Sequence, residues 1–218
     1  MKRIYKTQPP AQLTTYKKQV GASYDDIDKS VYNSTLTSLL NEQGWICGYC
    51  QQIISESKNA TIEHYCEKSI CNGQNGTNDL TLDYTNMMAV CLGKGDRETH
   101  CDKNKSKFNS FNGLPISVSP WINAHINAIN YNNTGTIKSN NPKHDNEIKT
   151  ILNLNAKYIK KKRGAKFTSF LRNAGTLTSK KGKDKLRRLL TEDMDFGGNR
   201  YKNSFPGMSE HMLNKFCS

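Results

Sequence analysis

The chain has 218 residues, with 32 Lys and Arg against 19 Asp and Glu, for a net charge of +13 at pH 7. Leu, Ile, Val and Phe make up only 19% of it, near the ~20% level below which a packed core is hard to build, so something besides apolar burial is expected to hold the fold. No apolar run approaches the ~18 residues of a membrane helix, and the opening MKRIYKTQPP lacks the apolar stretch of a secretory signal; a cytoplasmic protein with no membrane partner is expected.

In chain order, Pro9-Pro10 predicts an extended N-terminal twenty residues. An amphipathic helix is expected over 26–42, with Ile27, Val31, Leu36, Leu39 and Leu40 on its stripe and Gly44 as its stop. Thr61 to His64 reads as a short strand, 72–79 as loop, Leu80 to Leu92 as strand or short helix, and Asp102 to Phe111 as helix. Beyond a hairpin turn at 131–135, a long basic helix is expected over 145–162, a second over 180–190, and a short closing one over 210–216. Charge follows the same divisions. Residues 1–40 carry +3, 41–105 carry −3, and 106–218 hold the entire excess of +13. Three segments result: an arm and helix over 1–44, a cysteine-rich core over 45–112, and a basic, mainly helical region over 113–218. A basic half beside an acidic, ligand-rich segment suits a polyanion partner and a local cation site.

Six of the seven cysteines fall within 55 residues. An odd number with no export signal fits a disulfide framework poorly and zinc well. Cys47-Gly48-Tyr49-Cys50 is one CxxC knuckle, and Cys91 with Cys101 makes the preferred second pair. Cys66 and Cys71, spaced C-x4-C, compete for that place but are read as bystanders, since Cys66 directly follows the strand. Cys217 reads as a free thiol, and His125, His144 and His211, which have no companions, as structural.

Four strings stand in order: CGYC (47–50), IEHY (62–65), NMMAVC (86–91) and HCDKNK (100–105). The pattern resembles the HNH endonucleases, with an acid-His pair, a central Asn and a metal ligand on a helix, set between zinc-binding cysteine pairs. Glu63-His64, Asn86 and the Cys101–Lys105 string match in spacing. Two departures stand out: Asp102 occupies the place of a common His, and nine residues (LGKGDRETH) separate Cys91 from Cys101 where two are typical. The opening segment, LLNEQGWICGYC and ILNLN are similar to the PtuB branch, the HNH component of Septu and retron-linked anti-phage systems. The similarity covers about three quarters of the chain and is diffuse outside 39–105.

The resemblance implies an α+β fold: a ββα-metal core with an embedded zinc knuckle pair, flanked by helices. It implies a metal-dependent endonuclease, with DNA placed ahead of RNA or tRNA as substrate, working in anti-phage defence with an ABC-type ATPase of the PtuA kind. Through the retron link it also implies a reverse transcriptase with its RNA–DNA product as a partner. The chemistry asks for the same residue types. His64 suits a general base; Glu63 and Asp102 suit Mg²⁺ or Mn²⁺. By resemblance Asn86 orients His64 and Lys105 approaches a phosphate. His100 stays open between zinc ligand, hard-metal ligand and phosphate contact. Lys161, Lys162 and Arg163 are expected to grip nucleic-acid phosphates. The rival expectation is a non-catalytic zinc module that binds nucleic acid or bridges the ATPase complex. Glu63 and His64 are neighbours on a strand, so they share a site only at a bend or strand end.

Overall fold

The computed structural model describes residues 1–74, 79–95, 98–108 and 116–217. The fold is α+β, with three two-stranded antiparallel sheets among the described residues. Pro10 does not keep the arm extended. It precedes a short helix α1 (Ala11–Tyr16), because a proline at a helix entrance loses no intrahelical bond. Leu13 and Tyr16 bury against α2 (Lys29–Gln43).

Helix α2 buries Val31, Leu36, Leu39 and Leu40 on one face and stops at Gly44. Gly44 adopts φ +68°, and the Trp45 N–H then donates to the Leu40 carbonyl at 2.8 Å. Strands β1 (Ala60–His64) and β2 (Met87–Cys91) pair antiparallel, with Glu63 opposite Met88 and His64 opposite Met87. Met87, Met88, Ala89 and Val90 are all fully buried, so β2 is covered on both faces. Its outer edge is closed by Lys6, which donates to the Met87 carbonyl at 2.8 Å, by the Gly48 N–H on the Ala89 carbonyl at 3.0 Å, and by Gln43. The Gln43 amide donates to the Ala89 carbonyl at 2.8 Å and accepts from the Ala89 N–H at 2.7 Å, taking the place of a third strand. Between the strands a single turn at Tyr84–Asn86 leads into β2.

Helix α3 is shorter than its sequence suggests. It spans Asp102–Lys105 and runs into turns as far as Phe108; residues 109–111 of the expected helix lie outside the described residues. Helix α4 (Asn123–Asn127) leads to the hairpin β3 (Ile129–Tyr131) and β4 (Ile137–Ser139), whose turn matches the expected one. The expected helix over 145–162 is broken. A short α5 (Pro142–Asn146) continues as a π turn over Glu147–Ile151, the chain opens at 152–156 with Asn153 at φ +43°, and α6 (Lys157–Ala174) starts afresh. The asparagines of ILNLN leave the helix to serve neighbouring backbone. Asn155 accepts from the Ile137 N–H and donates to the Ile137 carbonyl, both at 2.9 Å, and Asn153 donates to the Thr99 carbonyl at 2.9 Å.

Helix α6 packs so closely on the β3–β4 turn that a Cβ on Gly135 would lie 2.1 Å from the Lys160 carbonyl oxygen. Helix α7 (Lys180–Asp193), capped by Ser179, packs between α6 and α8 (Pro206–Phe216), with Leu186 and Leu190 inward. A small hairpin, β5 (Phe196–Gly197) and β6 (Arg200–Tyr201), covers Gly44. Hydrogen bonds cross both expected segment boundaries: Ile4 N–H to the Pro120 carbonyl, Cys101 N–H to the Leu152 carbonyl, and Phe205 N–H to the Gln51 carbonyl. No described helix is long and apolar enough to cross a membrane.

Candidate functional site

Four cysteines converge. The sulfurs of Cys47, Cys50, Cys91 and Cys101 all lie within 4.8 Å of one another. Cys47 to Cys101 is 3.7 Å, Cys50 to Cys91 3.8 Å and Cys91 to Cys101 3.9 Å. A tetrahedron of sulfurs around an ion at ~2.3 Å has edges of about 3.8 Å; the cluster already has the dimensions of a four-thiolate metal site, and can hold an ion such as zinc. Two hairpin knuckles build it. The first is closed by the Ile46–Ile53 bridge, with the Cys47 N–H on the Gln52 carbonyl at 2.9 Å. The second contains the long insertion, which folds back through the Lys94–Thr99 bridge and returns Cys101 to Cys91. Cys101 sits at φ +54°, a conformation a non-glycine residue adopts at a cost.

Buried thiols this close need a cation to ionise together. Burial and the neighbouring sulfurs push the Cys101 thiol well above its ordinary range. Burial acts the same way on Cys50, but hydrogen bonds from the other three cysteines and His100 outweigh it and hold that thiol well below the range. His100 is not one of the four ligands. Its Nδ1 lies 3.2 Å from the Cys101 sulfur, in the position of a group that braces a ligand. Cys66 and Cys71 stand apart from the cluster and form a disulfide, contrary to an all-thiol reading. The tight turn from Glu67 brings their Cα atoms to 6.0 Å, within disulfide reach. Cys217 is a buried free thiol.

Next to the sulfurs stands a second cluster, of acids around a lysine. Glu63 and Lys105 are both buried, and the Lys105 ammonium donates to Glu63 Oε1 at 2.6 Å and to the His64 carbonyl at 3.1 Å. Tyr49 donates its hydroxyl to the same Glu63 oxygen at 3.0 Å. Glu67, also buried, approaches Lys105 at 3.6 Å, and its other oxygen has no partner. Burial pushes the Glu63 carboxyl up to about 8, the Lys105 ammonium opposes the rise, and Asp102 adds to it by charge and hydrogen bond. Glu67 is raised by burial in the same way, against Lys105.

His64 ends β1. Its Nε2 faces the Thr81 carbonyl at 2.8 Å, and since a carbonyl only accepts, Nε2 carries the proton and Nδ1 the lone pair. The ring packs edge-on against Tyr24 at 4.4 Å. Burial lowers the His64 pKa below 6.5, with the Thr81 carbonyl opposing. Asn86 does not touch the ring. Its carboxamide accepts from the Cys66 N–H at 2.8 Å and donates to the Cys66 and Leu80 carbonyls at 2.9 and 3.2 Å. It therefore ties together the chain just after His64 and the residue just before Thr81, acting on the imidazole through backbone.

The basic tract divides. Arg163 is turned inward, and its guanidinium donates to the Gly135 and Leu154 carbonyls and to Asn155; it is a core clamp and no phosphate contact. Four consecutive helical residues spread round most of the circumference, so one of KKKR had to face the core. Lys161 and Lys162 are exposed. His125 and His144 stack on each other at 4.3 Å, and His211 packs near Tyr131.

Sequence reading missed Glu67 and Tyr49. Glu67 lies past the end of β1, where the chain bends, so strand periodicity gave no signal for it. Tyr49 gave none beyond its place inside the knuckle. Among the described residues the cysteines are the cluster with metal-binding dimensions; Glu63 and Asp102 form no comparable group of three or more. Lys105 instead holds the position at Glu63 expected for a cation. No protein-family model and no curated protein matches the chain.

Proposed function

We propose that the chain is an HNH-type endonuclease that hydrolyses phosphodiester bonds, with β1, β2 and α3 as its ββα core and a structural zinc on Cys47, Cys50, Cys91 and Cys101. One observation carries the reading. A histidine with its tautomer fixed at Nε2 ends the strand that carries Glu63, and Glu63 is buried with Glu67 around the Lys105 ammonium, with the half-buried Asp102 bonded to Glu63. Three carboxyl groups around one ammonium, with a Glu67 oxygen unpartnered, are oxygen donors of the kind that suits a hard divalent ion. Glu63, Asp102 and Glu67 would hold Mg²⁺ or Mn²⁺, which stabilises the charge that develops on the phosphate.

The chain's own residues do the rest. His64 Nδ1 takes a proton from water as the water oxygen bonds to phosphorus and the bond to the leaving oxygen breaks. The Thr81 carbonyl keeps the imidazole in the productive tautomer, and Asn86 keeps Thr81 in place. Burial lowers the His64 pKa, so it stays neutral at neutral pH. DNA stays ahead of RNA as substrate, and an ABC-type ATPase of the PtuA kind is the proposed partner in anti-phage defence; both rest on the sequence resemblance.

The rival, a non-catalytic zinc module, is favoured by one feature: Lys105 already neutralises Glu63, as a purely structural ion pair would. Cleavage of DNA by wild type and His64→Ala, with Mn²⁺ or Mg²⁺ and the cognate ATPase present, separates the two. Loss of a general base costs ~10²–10⁴-fold in rate, with zinc content unchanged and the variant still folded, if less stable for the lost Thr81 bond and Tyr24 packing. Near wild-type cutting by His64→Ala would reject the mechanism, and no cutting by the wild type would favour the rival.

A further inference from the structure

Beside the sulfur cluster lies a cavity of about 670 Å³, within the range of small-molecule sites. One wall is a face of α6. Lys157, Tyr158, Lys161, Lys162 and Ala165 recur at the spacing of adjacent helical turns, while Ile159, Arg163 and Phe167 point into the core. The other wall is the insertion hairpin, from which Gly95, Glu98 and His100 line the space.

Three features make this more than a solvated helix face. Among the described residues, Lys157, Lys161 and Lys162 have no carboxylate partner for their ammonium groups, so the cavity lining carries three ammonium groups against the one carboxylate of Glu98. Lys162 instead lies over the Tyr158 ring at 4.3 Å. Second, His100 is 2% exposed, its Nδ1 is turned to the Cys101 sulfur, and its Nε2 is enclosed without a hydrogen-bond partner. A buried polar nitrogen of that kind normally has one. Third, Glu98 takes the Lys157 N–H at 2.6 Å, which fixes a carboxylate on the wall opposite the lysines. Between these groups the lining is carbon: Ala156, Ala165 and the tyrosine ring.

Cations in the lining, a flat ring, apolar walls and two polar groups inside match one chemistry: a phosphate carrying a flat, polar-edged base. A bare phosphate would leave the carbon walls and His100 unused, and an acyl chain would leave His100 unpaired and the lysines without an anion. We propose that this cavity binds a single nucleotide, its phosphate on Lys161 and Lys162 and its base against Tyr158. The site is separate from His64 and does not depend on the chain being a nuclease.

The same chemistry has two sources, a free nucleotide or the phosphorylated 5′ end of a strand. The test is binding by the full zinc-loaded chain of ATP, of pyrophosphate, and of a short oligodeoxynucleotide with a 5′-phosphate or a 5′-hydroxyl. Lys161→Glu/Lys162→Glu and Tyr158→Ala are compared with wild type, and zinc content and melting temperature are checked in each. Saturable one-to-one binding is expected with Kd below about 1 mM, weakened at least tenfold by the double charge reversal. Tyr158→Ala should weaken ATP several-fold and leave pyrophosphate nearly unchanged, a contrast that misfolding would not give. ATP binding that competes with the 5′-phosphorylated strand assigns a free nucleotide; binding of that strand alone assigns the strand end. Equal binding of both strands without ATP binding would make the face a backbone track and overturn the proposal. So would no binding at all, or wild-type binding by the double variant.

Discussion

The sulfur cluster and the acid cluster share two stretches of chain, 47–50 and 101–105, yet they answer the same electrostatic problem in opposite ways. Consecutive residues divide between them: Tyr49 turns to Glu63 and Cys50 to the sulfurs, while Cys101 goes to the sulfurs and Asp102 to the acids. The sulfur cluster contains no cation of its own. Three buried thiols and the half-buried Cys91 can become ligands together only when an ion arrives, which ties local folding there to metal. The acid cluster carries its cation within the chain, as Lys105. Glu67 there keeps one oxygen without a partner. The two clusters thus differ less in their acids or thiols than in whether a counter-charge is part of the chain.

The largest effect should come from taking one ligand out of the sulfur cluster. Structural zinc in small domains has an apparent binding free energy of ~10–16 kcal/mol, so Cys101→Ser is expected to lose its metal and aggregate. Elemental analysis and thermal unfolding check this; a zinc-free wild type or an unchanged variant would dissolve the contrast.

Breaking the acid cluster should cost less and be repairable. Lys105→Met removes the ammonium that pairs with Glu63 and Glu67, and stranding one partner of a buried ion pair costs ~3–5 kcal/mol. Urea unfolding should show that loss, and millimolar Mn²⁺ should restore part of it, whereas Mn²⁺ should not rescue Cys101→Ser. Full stability of Lys105→Met without added metal would mean that the carboxylates carry no charge for Lys105 to balance.

Asn86→Ala tests the link between loop and imidazole. It leaves the Cys66 N–H and two carbonyls without their partner, at ~1–3 kcal/mol for a buried group left unsatisfied, and cleavage should slow by more than stability alone explains. A variant that loses stability yet cuts at the wild-type rate would separate Asn86 from His64.

The smallest effect is in pH. Burial holds the His64 pKa below 6.5, so the neutral base persists as pH falls past 6.5, and the acid limb of the rate profile should lie beneath that value. The stability linked to this depressed pKa is present above 6.5 and is lost as pH falls through the folded value. A cleavage midpoint at or above 6.5 would argue that another group is the base.

Spacing and composition by themselves determined α2 and its Gly44 stop, the strand ending at His64 and the β3–β4 turn. The helix, strand and turn are local matters of hydrophobic period and turn chemistry that a short window of chain contains, whereas the choice of Cys47, Cys50, Cys91 and Cys101, spread over 55 residues, was legible from ligand type and the resemblance. The thin apolar content was also a true signal, but its meaning was tertiary. Asn86, Asn104, Asn153 and Asn155 spend their carboxamides on backbone groups of distant segments, doing by hydrogen bonds what further leucines would do by burial. That is why ILNLN broke a helix its apolar spacing favoured. Only the three-dimensional structure decided that Arg163 belongs to the core, that Lys105 pairs with Glu63, that Glu67 joins the acids and that Cys66 finds Cys71. Each depends on which way one side chain turns once another segment arrives, and no period along the chain encodes that meeting.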